Sequence, residues 1–420
     1  MPFAVYLLGL AVFAQGTSEF MLSGLVPAIA RDLGVSIPAA GLLTSAFAAG
    51  MVVGAPLMAA LSLRLSRRAA LLAFLVVFLL AHVVGAVTTS YEVLVVTRVV
   101  AALANAGFLA VAMATAVALA PSDAKGRATS VLLGGVTIAC VAGVPGGALL
   151  GEVWGWRSAF WAVALALVPA IVAVLKSVPG GAPDGTTAGA QEGTPDGATD
   201  GAPEGGAGRS VRGELRALRR PRLLVLLLLG ALVNGATFCT FTYLAPVLTG
   251  VSGIGSSWMP AMLALFGLGS FAGVTISGRI ADRRPVPLMV TGGVALAAGW
   301  AAFALAAGAA GPAIVLVLVQ GTLSFAVGST LISQVMYAAT GAPTLGGAFA
   351  TAAFNVGATL GPGLGGLAIE GGLGFRSPLW VSAALVGLAL AVAGIAGIAG
   401  IAGSRARRKP MEVDLRRAAQ

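Results

Sequence analysis

The sequence predicts an all-α membrane protein of twelve transmembrane helices, arranged as two six-helix pseudo-repeats with both termini in the cytoplasm. Three observations predict it: an internal repeat, an apolar composition and a one-sided distribution of Arg and Lys. Shifted by 219 residues, the chain aligns with itself. Phe47-x-x-Gly50-x-x-x-Gly54 falls on Phe266-x-x-Gly269-x-x-x-Gly273, Gln15-Gly16 on Asn234-Gly235, Pro27 on Pro246 and Arg64 on Arg283. Gly155-x-Arg157-Ser158-x-x-Trp161 falls on Gly374-x-Arg376-Ser377-x-x-Trp380. A repeat this long is a duplicated domain rather than a solenoid unit. Two apolar copies in parallel are a known plan for membrane transporters.

Composition names the solvent. The 420 residues are 58% hydrophobic and 10% charged, with mean hydropathy +0.97. A soluble chain carries about 25% charged residues, so this one lacks the supply for a water-facing surface. The 60 glycines fit helices that approach closely or bend inside a bilayer. A net charge of +10 would suggest nucleic acid in a soluble protein; here the loops explain it.

Twelve apolar runs are each long enough to cross about 30 Å of hydrocarbon. In the first half they lie near 4–30, 39–63, 69–88, 92–120, 128–152 and 158–176. In the second they lie near 222–249, 258–281, 287–308, 312–339, 345–369 and 377–402. With both termini inside, 21 of the 25 Lys and Arg fall on cytoplasmic segments and only Arg31, Arg157 and Arg376 on outer loops. That bias sets the orientation. The expected domains are a first half over 1–176, a cytoplasmic linker over 177–220, a second half over 221–403 and a basic cytoplasmic tail over 404–420. From 177 to 208 the chain is almost all Gly, Ala, Pro, Thr, Asp and Glu, which cannot bury a core. The basic stretch from Arg209 to Arg222 reads as a solvated positive-inside anchor or as a headgroup-binding helix.

Candidate chemistry is sparse. Glu19 sits near the middle of the first span, where an ionised carboxylate is expensive. It is expected to bind and release a proton as its surroundings change, or else to hold a static salt bridge. Arg98 is the only basic residue inside a span; at 1.5 Å per residue its depth is close to that of Glu19. It is either the partner of Glu19 or a snorkelling residue. His82, the only histidine, reads as a packed group rather than a relay. Gln15, Asn105, Asn234, Tyr243, Gln320, Gln334 and Asn355 are candidates to line a substrate cavity, or to hydrogen-bond between helices. Cys140 and Cys239 read as buried free thiols. No metal cluster, nucleotide loop or nucleophile–base pair is visible, so neither an enzyme nor a cofactor is expected.

Several motifs resemble the major facilitator superfamily, specifically its twelve-helix drug/proton antiporters. That family's loop between helices two and three reads Gly-x-Leu-Ala-Asp-Arg-x-Gly-Arg-Arg. Gly278-Arg279-Ile280-Ala281-Asp282-Arg283-Arg284 keeps its core, while the first copy has Leu63 at the acidic position before Arg64. The resemblance implies a gating latch among Arg64, Asp282 and Arg283. Leu94 to Arg98 resembles the family's Leu-x-x-x-Arg signature, which ties Arg98 to proton coupling. Gly134, Gly143, Gly147 and Gly151, with Pro145, resemble its antiporter motif, and Gly361-Pro362-x-x-Gly365-Gly366 repeats the theme. The stretches from Ala14 to Gly24, from Asn234 to Pro246 and from Gln320 to Thr330 are similar to actinobacterial chloramphenicol-resistance exporters. The resemblance therefore implies proton-coupled efflux of an amphenicol drug by alternating access, from a monomer in the cell membrane whose partners are drug, protons and lipid. The alternative is an exporter or facilitator of a sugar, nucleoside or other small metabolite.

Overall fold

A computed structural model describes residues 2–62, 65–121, 124–178, 221–281, 285–339 and 343–418. Arg64, Asp282 and Arg283, and nearly all of the expected linker, lie outside the described residues. Among the described residues twelve helices are long and apolar enough to cross a membrane. Their outer rim exposes large apolar side chains such as Val53, Leu80, Leu165 and Leu305, a surface that suits lipid and not water.

The first half comprises α1 (Phe3–Phe20) and α2 (Leu22–Leu33), α3 (Ile37–Ser62), α4 (Arg67–Val87), α5 (Tyr91–Leu119), α6 (Lys125–Ile138), α7 (Val144–Trp154) and α8 (Trp156–Ser177). The second comprises α9 (Pro221–Thr242) and α10 (Leu244–Gly250), α11 (Met259–Ile280), α12 (Pro285–Ala306), α13 (Ala310–Ala338), α14 (Pro343–Ala368) and α15 (Ser377–Ala418). The last helix thus continues through most of the stretch expected as a tail.

Prolines explain the interruptions. Pro246 has no N–H to give Thr242 O, and α9 stops at Thr242. Its counterpart Pro27 follows the break between α1 and α2, where Gly24 N bonds Met21 O in a shortened turn. In the fifth span a π turn, Ala139–Gly143, joins α6 to α7. Pro145 cannot donate to the carbonyl four residues back, and Val144 N instead reaches five residues back to Ala139 O.

The two halves pack in the same register. A Cβ on Gly50 would meet Val99 O at 3.0 Å, and one on Gly269 would press on Leu318 O. Gly50 and Gly269, like Val99 and Leu318, are one repeat apart, so the same α3–α5 contact recurs as α11–α13. Gly155 and Gly374 both take positive φ, 80° and 72°, where a side chain would be strained. At each, the following serine (Ser158, Ser377) donates its hydroxyl to the glycine carbonyl at 2.7 Å.

Between the halves, α3 runs along α14, and α7 with its π turn meets α11. At the end away from the termini α3 and α14 close on Tyr243, while on the α7–α11 side a cavity of about 450 Å³ remains between the halves. A Cβ on Gly41 would strike the Tyr243 ring at 2.7 Å, and one on Gly366 would lie 2.7 Å from Tyr243 Oη and 3.3 Å from Pro38 Cβ. Deeper in, Phe20 and Phe238 meet across the seam with ring centres 5.8 Å apart.

Candidate functional site

Two side chains from the span interiors of the first half, Arg98 and His82, converge on Ser18 of α1. Arg98 on α5 is 1% exposed, so it does not snorkel. Its guanidinium donates from one Nη to Ser18 Oγ and from the other to Ser18 O, each at 2.8 Å, and its Cζ lies 4.4 Å from the centre of the Phe47 ring. His82 on α4 joins the same hydroxyl: Nε2 lies 2.6 Å from Ser18 Oγ and Nδ1 2.8 Å from Phe78 O. A carbonyl can only accept, so the neutral ring carries its proton on Nδ1 and Nε2 accepts from Ser18. His82 also stacks on Phe78 at 4.3 Å. It is therefore a packed group, as expected, yet one that belongs to the Arg98 cluster. A lone histidine in an apolar run carried no signal of that.

Glu19, next to Ser18, is half-buried and makes no hydrogen bond to a described residue. It interacts electrostatically with Arg98, but among the described residues the ion pair within 4.0 Å is Arg157–Asp32 and not Arg98–Glu19. The static salt bridge considered for Glu19 is thus not formed here. One helical turn away, Gln15 is 1% exposed and both of its amide atoms lack a partner. Orphan buried groups cost about 1–3 kcal/mol each.

A cavity of about 370 Å³ lies where the halves diverge. The halves touch beside it at Gly267, where a Cβ would sit 2.5 Å from Cys140 O and 2.9 Å from Val141 Cα. Towards the termini, Leu133 and Thr137 on α6 and Phe271 and Val274 on α11 line the cavity. The second half supplies most of its polar groups: Asn234, Thr237, Ser270, Ser324 and Ser329. It also supplies three aromatic rings, Phe271, Phe325 and Phe354. Ser324 is 3% exposed and its hydroxyl has no partner among the described residues. Asn234 Nδ2 donates to Phe354 O at 2.7 Å.

Of the residues expected to line a substrate cavity, Asn234 lines this one. Asn105 donates to Met51 Sδ at 3.5 Å, Asn355 to Thr351 O at 2.9 Å and Gln320 to Leu296 O at 3.2 Å. Tyr243 donates to Pro362 O at 2.9 Å. The sequence reading looked to amides; small hydroxyls furnish more of the wall, and serine and threonine are too common in membrane helices to stand out.

The glycines behave as a ladder. Gly143, Gly147 and Gly151 face Thr17, Met21 and Leu25, two runs of four-residue spacing in step. Gly357, Gly361 and Gly365 face Ala231, Gly235 and Cys239 in the other half. Outside the spans, Asp32 accepts from the Arg157 guanidinium and from Trp156 Nε1 at 3.1 Å. The Arg157 hydrogen bond is the main cause that holds the Asp32 carboxyl below its usual range.

Two parallel six-helix repeats with a cavity between them are the plan of a secondary transporter. The chain belongs to the Major Facilitator Superfamily, whose family model matches residues 8–352. It is a multi-pass plasma-membrane protein. It is 55% identical over 393 residues to a chloramphenicol resistance protein of Streptomyces lividans, covering 94% of this chain and 96% of that one. It is 34% identical to the inner membrane transport protein YdhP of Escherichia coli K12, covering 91% and 93%. A crystal structure of a bacterial homologue of the human lysosomal transporter Spinster, inward-facing and occupied, shares the fold with TM-score 0.71 at 17% identity, covering 94% and 96%.

Proposed function

We propose that this transporter exports amphenicol-type drugs from the cell in exchange for protons, by alternating access. The drug class rests on the similarity to the Streptomyces lividans resistance protein. The coupling rests on one observation: Glu19 carries a carboxyl in mid-membrane that no hydrogen bond occupies, beside an arginine bound elsewhere. Such a group can take up a proton from one side and lose it to the other.

In this reading the termini are cytoplasmic and the cavity opens to the cytoplasm. A small amphiphilic drug would place its ring among Phe271, Phe325 and Phe354 and its polar groups against Asn234, Ser270 and Ser324. Gly143, Pro145 and Gly147, with Gly361 and Pro362, would seal the first and seventh spans against leakage; Arg64, Asp282 and Arg283 would latch the cytoplasmic side. One proton entering per neutral drug supplies about 2.3 kcal/mol at 100 mV. One pH unit adds about 1.4 kcal/mol. Together these sustain roughly a 500-fold gradient.

The test is accumulation of chloramphenicol in inverted vesicles. A protonophore should abolish it, and Glu19→Gln should reduce it to the protonophore level while leaving drug binding measurable. Accumulation that survives both treatments would refute the coupling.

A further inference from the structure

His82 takes no part in the function proposed above, yet it is among the most tightly placed polar groups in the molecule. It is 1% exposed, stacked on Phe78, tilted against Phe160 at 5.6 Å, and bonded at both ring nitrogens. We infer that His82 is a positioning residue for the Arg98–Glu19 pair: it fixes the Ser18 hydroxyl so that Ser18 holds the guanidinium away from the carboxyl next to it.

The argument is one of hydrogen-bond direction. Nδ1–H is committed to Phe78 O, which leaves Nε2 as an acceptor. Ser18 must then point its single proton at His82, and its lone pairs face Arg98. Without His82, that proton could rotate toward another acceptor, and the lone pairs would turn from Arg98. The second Arg98 bond, to Ser18 O, cannot alone fix a planar fork whose Nε is also unpartnered. Ser18 and Glu19 are adjacent on α1, so the two compete for one cation. The holding contact keeps Arg98 on Ser18 in the state seen here. Loss of the contact frees Arg98 to pair with Glu19.

The titratable groups near Glu19 are few. Arg98 acts on it from α5, and Cys140 in the π turn lies within its electrostatic reach; His82 faces Ser18 from α4. The other charged residues on elements packed against α1 sit at helix ends. Arg31, Asp32, Glu92, Glu152 and Arg157 lie at the end away from the termini, and Arg67, Arg68, Lys125, Arg127 and Lys176 at the terminal end.

The inference rests on Glu19 as the proton carrier, and one assay separates the two. Purified transporter in weak buffer is given chloramphenicol, and proton release is followed with a pH dye as a function of pH. In Ser18→Ala and in His82→Phe the half-maximal point should move to lower pH by about one unit, because a freed cation beside a carboxyl favours its ionised form. The double variant should move no further than either single one. His82→Gln, whose amide can accept from Ser18 and donate to Phe78 O, should restore the wild-type profile. A wild-type profile in both His82→Phe and Ser18→Ala, or additive shifts in the double variant, would overturn the positioning role. If His82→Phe does not fold, Ser18→Ala against His82→Gln still decides. Release that persists in Glu19→Gln refutes the carrier and the inference with it. Release lost in Glu19→Gln but unshifted in the other variants refutes the inference alone.

Discussion

The two halves share a frame and differ in content. Aligned by the repeat, Glu19 faces Phe238, Arg98 faces Val317 and His82 faces Ala301. Among the described residues the span interiors of the second half hold no Asp, Glu, Lys, Arg or His; its interior polar groups are amides, hydroxyls and a thiol. The first half holds the charged cluster and gives the cavity little beyond Thr137 and Cys140 in polar atoms. What the copies kept is packing, such as Gly50 on Val99 and Gly269 on Leu318. What they lost is chemistry held in common. One half holds charged side chains inside its spans, the other uncharged polar ones, and neither set is legible from the repeat alone.

The largest test of that division moves the acid. Phe238→Glu in a Glu19→Gln background should not restore protonophore-sensitive accumulation in vesicles, because Val317 and Ala301 offer the new carboxyl no cation and no histidine. Restored transport would mean that the halves are interchangeable.

Next come the two glycine ladders. A Cβ on Gly361 would strike backbone, Gly235 O and Gly235 C, whereas one on Gly147 would meet the Met21 side chain at 3.0 Å. The overlap at Gly361 is far deeper than the one at Gly147, whose nearest atom, Met21 Cβ, needs a shift of only a few tenths of an ångström. Gly361→Ala should therefore lower stability by about 1–3 kcal/mol and Gly147→Ala by less. Gly146→Ala and Gly363→Ala, with nothing within 4 Å, are the controls. Thermal unfolding in detergent ranks the four, and equal losses at Gly361 and Gly147 would erase the distinction.

A smaller effect sharpens the ligand side. Ser324→Ala removes a buried hydroxyl that has no partner among the described residues. Melting temperature should hold or rise slightly, while chloramphenicol binding by calorimetry should weaken by about 0.5–1.5 kcal/mol, the net worth of one hydrogen bond. A drop in stability with unchanged binding would remove Ser324 from the site.

The smallest concerns an asymmetry at the rim. Arg157 has Asp32, but the counterpart of Asp32 beside Arg376 is Val251. Because folding depresses the Asp32 carboxyl, its contribution is present above the ordinary value of 3.8 and is lost as pH falls below it. The pair is partly exposed, so Asp32→Asn should cost at most about 1 kcal/mol at pH 7 and less at pH 3, where the loss has begun. Denaturation at the two pH values checks this.

Sequence alone determined the twelve spans, the duplication and the isolation of Glu19 and Arg98 in apolar surroundings. These are properties of composition and spacing: a bilayer demands long apolar helices, repeated glycines mark close helix contacts, and a charge in such a run is conspicuous wherever it points. Only the tertiary structure decided which atoms those charges face. It turned Arg98 to Ser18 rather than to Glu19, drew His82 from α4 into the same cluster, and withdrew Asn105, Tyr243 and Asn355 from the cavity into bonds of their own. It put Ser324 in the cavity wall instead. A hydrogen bond depends on the rotamer and on the neighbouring helix, and across 64 or 80 residues of chain neither is written in local spacing.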